Sequence, residues 1–140
     1  MKVANERTLL ERLVSPPAAS FRRVKIDLQK LSDSIILHLR RMMNARHGFT
    51  PALPDYGLPD LNECIFSFPD SLTYLKQALQ TSIEKYEPRL SRVRVIYFED
   101  PENPLEIHFD IQARLETTEE TVTFAFSTKV GSAGGVEVLE

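Results

Sequence analysis

The sequence predicts an α+β domain, in which two main helices pack on a small antiparallel β-sheet (a meander), with a short N-terminal helical arm. Two patterns lead to this fold class. Before residue 88, apolar residues recur every three or four positions in two stretches, as in helices that bury one side. After residue 92, apolar and polar residues alternate, which indicates strands with one buried face. Because the helices come first and the strands follow one another, an antiparallel arrangement is favoured.

Length and composition indicate one globular domain. The chain has 140 residues, of which 42% are hydrophobic and 26% are charged, enough to build a single core. Its net charge of −3, without a long run of one sign, does not favour nucleic-acid binding. It lacks both an apolar stretch of about 18 residues, as a membrane span requires, and the apolar run of a secretory signal. With Cys64 as its single cysteine, the chain is expected to be cytoplasmic.

The first element is an arm that contains a short helix at residues 8–14, ended by Ser15-Pro16-Pro17. One side of this helix carries Leu9, Leu10 and Leu13. A helix this short is marginal by itself, so its leucines need a surface on their own domain or on a partner. We expect three parts in the chain: an N-terminal arm (1–23), a main domain (24–128) and a C-terminal tail (129–140).

Two longer helices are predicted in the main domain. The first covers about residues 25–43. The second covers residues 71–86, with Asp70 or Ser71 as its N-cap and Pro88 as the residue that ends it. The apolar positions are Leu28, Leu31, Ile35, Leu39 and Met42 in the first helix and Leu72, Leu75, Leu79, Ile83 and Tyr86 in the second.

Residues 48–69, between these helices, predict a structured loop because they contain four prolines and two glycines. Asp60 is placed to cap one helical turn at residues 61–65. Cys64 lies in an apolar run, so a packed thiol is favoured there over a nucleophile.

Strands make up the rest of the chain. The alternating segments are residues 93–97, 105–115 and 122–126, with turns at 100–104 and 116–120. The glycine-rich tail becomes apolar again at Val136 and Val138. We expect this last piece to be either a flexible end or a strand that pairs only with another chain.

The sequence contains no recognisable catalytic, metal or cofactor site. His38, His47 and His108 fall on different elements, without the spacing of metal ligands, and exposed histidines account for all three. Neither a glycine-rich phosphate loop nor a serine nucleophile elbow is present. We therefore expect a protein that is not an enzyme and that needs no metal or cofactor.

The junction Glu87-Pro88-Arg89 stands out after the second helix. Pro88 favours an extended Glu87 and fixes the change from helix to strand. In extended chain, side chains two residues apart project to the same side, so Glu87 and Arg89 can form a polar docking pair for a partner of complementary charge. The alternative is a local ion pair that closes the end of the helix.

In four of its features, the chain resembles TssE, a family of baseplate components of the bacterial type VI secretion system, related to the small baseplate wedge proteins of contractile phage tails. These features are Leu9 to Leu13, His38 to Gly48, the loop Leu53-Pro54-Asp55-Tyr56-Gly57-Leu58-Pro59-Asp60, and Tyr86-Glu87-Pro88-Arg89-Leu90. Together they span about residues 9–128.

The resemblance implies a structural subunit of a large hetero-oligomeric baseplate. Members of this family lie in the wedge with TssF and TssG, near TssK, around the hub of the spike protein VgrG. They provide the surface on which the first ring of the TssB/TssC sheath polymerises. Carried over, Glu87, Pro88 and Arg89 become the sheath-binding residues, and the sheet has edges that can accept a strand. The arm leucines Leu9, Leu10 and Leu13 become the anchor to the wedge.

Two other functions remain open at this point. The family is sometimes labelled lysozyme-like, and glycoside hydrolysis needs two facing carboxylates, one with a raised pKa. Glu87 is the nearest candidate, although Arg89 beside it favours the charged form. The other alternative is a free-standing adaptor, because the fold family also resembles the anti-adaptor IraD.

Overall fold

The structure is a computed structural model that describes residues 8–14, 27–60, 64, 67, 69–104, 106–117, 121–131 and 135–139. Its elements are α1 (Leu9–Val14), α2 (Leu28–Met43), α3 (Asp70–Tyr86), β1 (Leu90–Phe98), β2 (Ile107–Glu116), β3 (Thr121–Val130) and β4 (Val136–Leu139). The strands form one antiparallel sheet in the order β1-β2-β3-β4. The predicted fold class, two helices on an antiparallel meander with an N-terminal helix, is confirmed.

Helix α2 begins after Asp27, which caps it. The Asp27 backbone is extended, and its carboxylate accepts a hydrogen bond from the backbone N–H of Lys30 at 3.4 Å, which satisfies a donor that the helix leaves free. The helix ends at Met43, as predicted. Leu28, predicted to be on the buried side, is exposed in the first turn, because the core begins at Leu31. The predicted start at residue 25 lies outside the described residues.

Helix α3 begins one residue earlier than predicted, at Asp70. The prediction that Asp70 or Ser71 caps it is wrong, because Pro69 occupies the N-cap position and makes no side-chain hydrogen bond there. Asp70 instead lies in the first turn, where a negative charge complements the helix dipole. The helix ends at Tyr86, as predicted, and it packs against the core through Leu72, Leu75, Leu79, Ile83 and Tyr86.

The loop after α2 folds back onto both long helices. The Leu58 N–H donates to the Ala45 carbonyl at 3.0 Å, and the Ser82 hydroxyl donates to the Gly57 carbonyl at 3.1 Å. Gly57 has a φ of +98°, and a Cβ at this position would lie 2.1 Å from the Ala45 carbonyl oxygen. Only glycine therefore fits here. The helical turn predicted at residues 61–65 lies largely outside the described residues, although Cys64 is buried, as predicted.

The sheet buries one face against the helices. The core residues on its strands are Leu90, Val93, Val95, Phe109, Ile111, Ala113, Leu115, Phe126, Val130, Val136 and Val138. Strand β1 starts three residues earlier than predicted, at Leu90, and includes an irregularity between Ser91 and Arg94. Arg92 lies within this bulge with a φ of +51°, in the left-handed region. A bulge of this kind bends an edge strand and increases its twist.

The C-terminal segment is part of this sheet. Strand β4 pairs antiparallel with β3 from Val130↔Val136 to Ser127↔Leu139, and its Val136 and Val138 side chains are buried in the core. The expectation of a flexible end, or of a strand that pairs only with another chain, is therefore wrong. The prediction failed because the apolar side chains of β4 complete a core formed by elements far away in the sequence.

Candidate docking site at the corner between α3 and β1

The junction between α3 and β1 forms a tight corner. The Glu87 N–H still bonds the helix, donating to the Ile83 carbonyl at 2.9 Å, and the Glu87 carbonyl accepts from the Leu90 N–H at 3.1 Å. These two bonds close the turn around Pro88, which is exposed. Proline suits this position because its fixed φ and missing N–H prevent the helix from continuing. The corner therefore has a defined backbone that presents the proline ring to solvent.

The two charges of the junction bind each other. Arg89 Nε donates to Glu87 Oε1 at 2.6 Å, and Arg89 Nη2 donates to Glu87 Oε2 at 2.7 Å. This bidentate geometry is the strongest form of a carboxylate–guanidinium pair. The Glu87 side chain is 1% exposed and that of Arg89 is 9% exposed. The local ion pair that the sequence left as an alternative is thus present, and binding of a partner by these residues stays a prediction.

The pair belongs to a longer chain of polar contacts. His38 Nδ1 lies 2.7 Å from Glu87 Oε2. On the other side, Arg89 Nη1 donates to Ser34 Oγ at 2.9 Å, and the Ser34 hydroxyl donates to Glu11 Oε2 at 2.7 Å. We call these five residues the corner network. It connects α1, α2 and the α3–β1 corner through side chains alone.

Sequence reasoning missed Glu11, Ser34 and His38 as members of this network. One signal could have identified two of them. Ser34 and His38 lie one helical turn apart, next to Leu31 and Ile35, which are fully buried. Nothing in the sequence pointed to Glu11, which lies 23 residues from its partner Ser34.

The expectation of three exposed histidines is wrong for two of them. The side chains of His38 and His108 are only 23% and 13% exposed, whereas His47 is exposed. His38 contacts Glu87, and His108 Nε2 lies 3.6 Å from Glu106 Oε2. The partner of His38 is 49 residues away in the sequence, whereas the carboxylate beside His108 comes from the residue directly before β2.

The electrostatics of the corner favour an ionised Glu87. Burial alone raises the pKa of this carboxyl, but hydrogen bonds from Arg89 and His38 and the charge of Arg89 outweigh it, so that the pKa falls from 4.5 to about 2. The pKa of Glu11 is also lowered: burial raises it, and the hydrogen bonds from Ser34 and Thr8 more than compensate. Both carboxylates are therefore charged at neutral pH, with donors directed at their oxygens.

The loop that carries the family resemblance holds the end of α3 next to the corner. Asp55 accepts a hydrogen bond from the Tyr86 hydroxyl at 2.6 Å and also pairs with the Lys85 ammonium group. The Tyr56 ring packs edge-on against the Tyr86 ring, with centroids 5.0 Å apart. These contacts fix the last turn of α3 and hence the direction in which the chain enters the corner.

Helix α1 presents apolar side chains to solvent. Leu10 is 68% exposed and Leu13 is 77% exposed, although Glu11 on the same helix bonds to the corner network. The third predicted anchor residue, Leu9, begins α1, but its side chain lies outside the described residues. Two of the three arm leucines are therefore available to a partner in this structure.

The fold and its corner define the class of the protein: it is a small α+β domain in which the charged side chains of the corner bind one another. More particularly, the chain belongs to the family of the baseplate wedge protein gp25, whose model matches residues 29–120. The match covers both long helices, the corner and strands β1 and β2. It confirms the resemblance found in the sequence.

Solved structures, among them the following two, resemble the chain. One, from the baseplate complex of the type VI secretion system, is 22% identical, with a TM-score of 0.57, and the alignment covers 80% of this chain and 96% of that chain. The other, a Geobacter sulfurreducens protein that carries the name tail lysozyme, is 15% identical, with a TM-score of 0.49 and coverage of 85% and 97%. No curated protein sequence matches the chain.

The described part of the chain contains no helix that is both long and apolar enough to cross a membrane. Its His, Cys, Asp and Glu side chains form no group of three or more that could hold a metal ion.

Proposed function

We propose that the chain is a structural subunit of a type VI secretion baseplate that joins the TssF/TssG wedge to the first ring of the TssB/TssC sheath and nucleates sheath assembly. The observation that carries this proposal is the corner, because a family of baseplate wedge proteins matches the residues around it and two backbone hydrogen bonds define its turn. The site of action is cytoplasmic, within a hetero-oligomer that also includes TssK and the VgrG hub.

In this proposal the corner contacts the sheath. The ion pair between Glu87 and Arg89 is buried and satisfied within the chain, so its role is to hold the corner in one shape. Pro88, which is exposed at the turn, supplies the contact surface. A preformed corner lowers the entropic cost of binding, because the groups that meet the partner are already ordered.

The other end of the corner network contacts the wedge. Residues 1–23 act as the arm that anchors the subunit to TssF and TssG through Leu9, Leu10 and Leu13, and residues 24–128 form the wedge domain. The exposure of Leu10 and Leu13 supports this role, since apolar side chains on a short helix gain most by burial in an interface. Residues 129–140 then form a tail whose strand completes the sheet.

The substitution Pro88→Arg tests the sheath contact. It places a long charged side chain on the exposed corner, and it leaves Glu87 and Arg89 in place, so we expect a stability cost of about 1 kcal/mol or less. Pro101→Arg, on an exposed turn at the far end of β1, is the matched control. In cells that carry a fluorescent sheath subunit, we expect Pro88→Arg to abolish sheath formation and Pro101→Arg to permit it.

A pull-down of TssF and TssG from the same cells completes the experiment. Both variants should retain these partners, because the arm is unchanged. Normal sheath formation with Pro88→Arg would refute the sheath contact. Capture of a response-regulator-like protein in place of TssF and TssG would favour the adaptor function of the IraD type.

The electrostatics do not favour the alternative function of a peptidoglycan hydrolase. A general acid must hold its proton near neutral pH, which requires a raised pKa. The pKa of Glu87 is instead lowered to about 2, and both carboxylate oxygens are occupied by donors from Arg89 and His38. Clearing of a purified cell-wall suspension by the wild type, but not by Glu87→Gln, would overturn this conclusion.

A further inference from the structure

Ser34 joins the arm to the corner. Its hydroxyl donates to Glu11 Oε2 at 2.7 Å and accepts from Arg89 Nη1 at 2.9 Å. A guanidinium can only donate and an ionised carboxylate can only accept, so the single hydroxyl proton has to point towards Glu11. The three side chains therefore form a chain of hydrogen bonds that runs in one direction, from the corner to the arm.

A groove of about 460 Å³ separates part of α1 from α2, and Leu10 and Val14 of α1 and Leu37 of α2 are among its lining residues. Among the residues that the structure describes, the bond between Glu11 and Ser34 is the one hydrogen bond that joins these two helices. A helix of six residues is also marginal by itself. The position of α1 on the domain therefore depends on this bond.

Each bond in this chain strengthens the other. A hydroxyl that donates to a carboxylate becomes a better acceptor, because hydrogen bonds in a chain polarise one another. When α1 leaves, the Ser34 proton is able to bond to a carbonyl one turn back in α2, as serines in helices commonly do. Arg89 then keeps its two bonds to Glu87, but it loses the polarised acceptor and the nearby charge of Glu11. The guanidinium is therefore held most firmly while α1 is in place.

We propose that Ser34 is a positioning residue that couples the arm to the corner: fixing α1 against α2 restricts Arg89, and restricting Arg89 fixes α1. Leu10 and Leu13 are exposed while Glu11 bonds to Ser34, so a partner can cover these leucines without breaking the bond. Docking of the arm thus stabilises the corner. The inference rests on the proposed function and deepens it, because a subunit already held by the wedge presents the better-ordered corner to the sheath.

Hydrogen exchange of the Arg89 Nε–H, measured by NMR on the whole chain, reports how firmly the guanidinium is held. Ser34→Ala and Glu11→Ala should each speed this exchange by about fivefold or more, at the low end of couplings between sites because the bonds to Glu87 remain. The double variant should exchange no faster than the faster single variant, since both changes break the same chain of bonds. Asp33→Ala is the matched control: this exposed carboxylate lies next to Ser34 but accepts a bond from its own helix. Its loss should leave the exchange rate of Arg89 unchanged.

The consequence for assembly is measured in cells that carry a fluorescent sheath subunit. Ser34→Ala leaves the arm leucines in place, so it should retain TssF and TssG in a pull-down. Its less firmly held corner should lose a large part of the sheaths that the Asp33→Ala control forms. Equal numbers of sheaths in the two strains would overturn the role of the coupling in assembly.

Three results of the exchange experiment would overturn the coupling itself. These are an exchange rate of Arg89 that Glu11→Ala leaves unchanged, effects of the two single variants that add in the double variant, or an equal effect of Asp33→Ala. The exchange measurements need no partner, so their failure would leave the sheath contact of Pro88 standing. Conversely, normal sheath formation with Pro88→Arg would refute that contact and leave the exchange rates unaffected.

Discussion

The corner network makes a quantitative prediction for the substitution Arg89→Met. This change removes the guanidinium but keeps an unbranched side chain, and it leaves Glu87 with one side-chain donor, His38, at a position where the carboxylate is 1% exposed. Removing one partner of a buried ion pair costs about 3–5 kcal/mol, because the other charge loses its compensation. We expect the free energy of unfolding at pH 7 to fall by about this amount.

The pKa of Glu87 sets the pH dependence of this effect. Its fall from 4.5 to about 2, at about 1.4 kcal/mol for each pKa unit, corresponds to roughly 3 kcal/mol. Since the pKa is lower in the folded protein, the ionised group stabilises the fold fully above pH 4.5. This contribution is lost as the pH falls towards 2. The gap in stability between wild type and Arg89→Met should therefore narrow over that range.

Urea denaturation followed by circular dichroism, at pH 7 and at pH 3, measures the loss of stability caused by Arg89→Met and its change with pH. Arg114→Met serves as the control for removal of an arginine, because Arg114 is exposed on β2. We expect the control to change stability by less than about 0.5 kcal/mol at either pH. A loss below about 1 kcal/mol for Arg89→Met, or a gap that is the same at both pH values, would refute the assignment of the network as a stabilising element.

Three other predictions concern the loop and the arm. Gly57→Ala should lower the free energy of unfolding by more than about 2 kcal/mol, since it combines a left-handed backbone with a clash at the Ala45 carbonyl; a melting temperature equal to that of the wild type would contradict this. Glu11→Gln should leave the melting temperature nearly unchanged but speed proteolytic cleavage of α1, because the charge-assisted bonds of the Glu11 carboxylate hold the arm. Equal cleavage rates for the variant and the wild type would contradict this. The double substitution of Leu10 and Leu13 by Asp should preserve the fold, since both are exposed, and abolish co-purification with TssF and TssG; retention of both partners would refute the anchor.

The long helices and most strands could be predicted from the sequence because their patterns are local. A period of three to four residues identified α2 and α3, and alternation identified β1 to β3. Their ends depended on contacts that periodicity does not encode. Strand β1, for example, begins at Leu90, where the corner turns the chain directly into the sheet. For β4, the sequence left open a flexible end or a strand that pairs only with another chain. Its pairing with β3 was not predicted, because the glycine-rich segment before it carries no pattern that sets this pairing.

The candidate site was predictable only in part. Pro88 and its neighbours stood out as a junction, and the sequence left both a docking pair and a local ion pair open for Glu87 and Arg89. The contacts that decide between these two interpretations join residues that are far apart in the sequence. His38 lies 49 residues from Glu87, and Ser34 lies 55 residues from Arg89. Whether the pair of Glu87 and Arg89 is buried depends on how α2 packs against the corner. The order of residue types along the sequence carries no information about that packing.

Site-specific photo-crosslinking from position 88 in living cells tests the central claim most directly. A photoreactive residue replaces Pro88 in one strain and, as a control, the exposed Pro101 in another. If the corner binds the sheath, the probe at position 88 should crosslink to TssB or TssC, and the probe at position 101 should not. Crosslinks from position 88 to TssF or TssG alone, in cells that assemble sheaths normally, would contradict the claim.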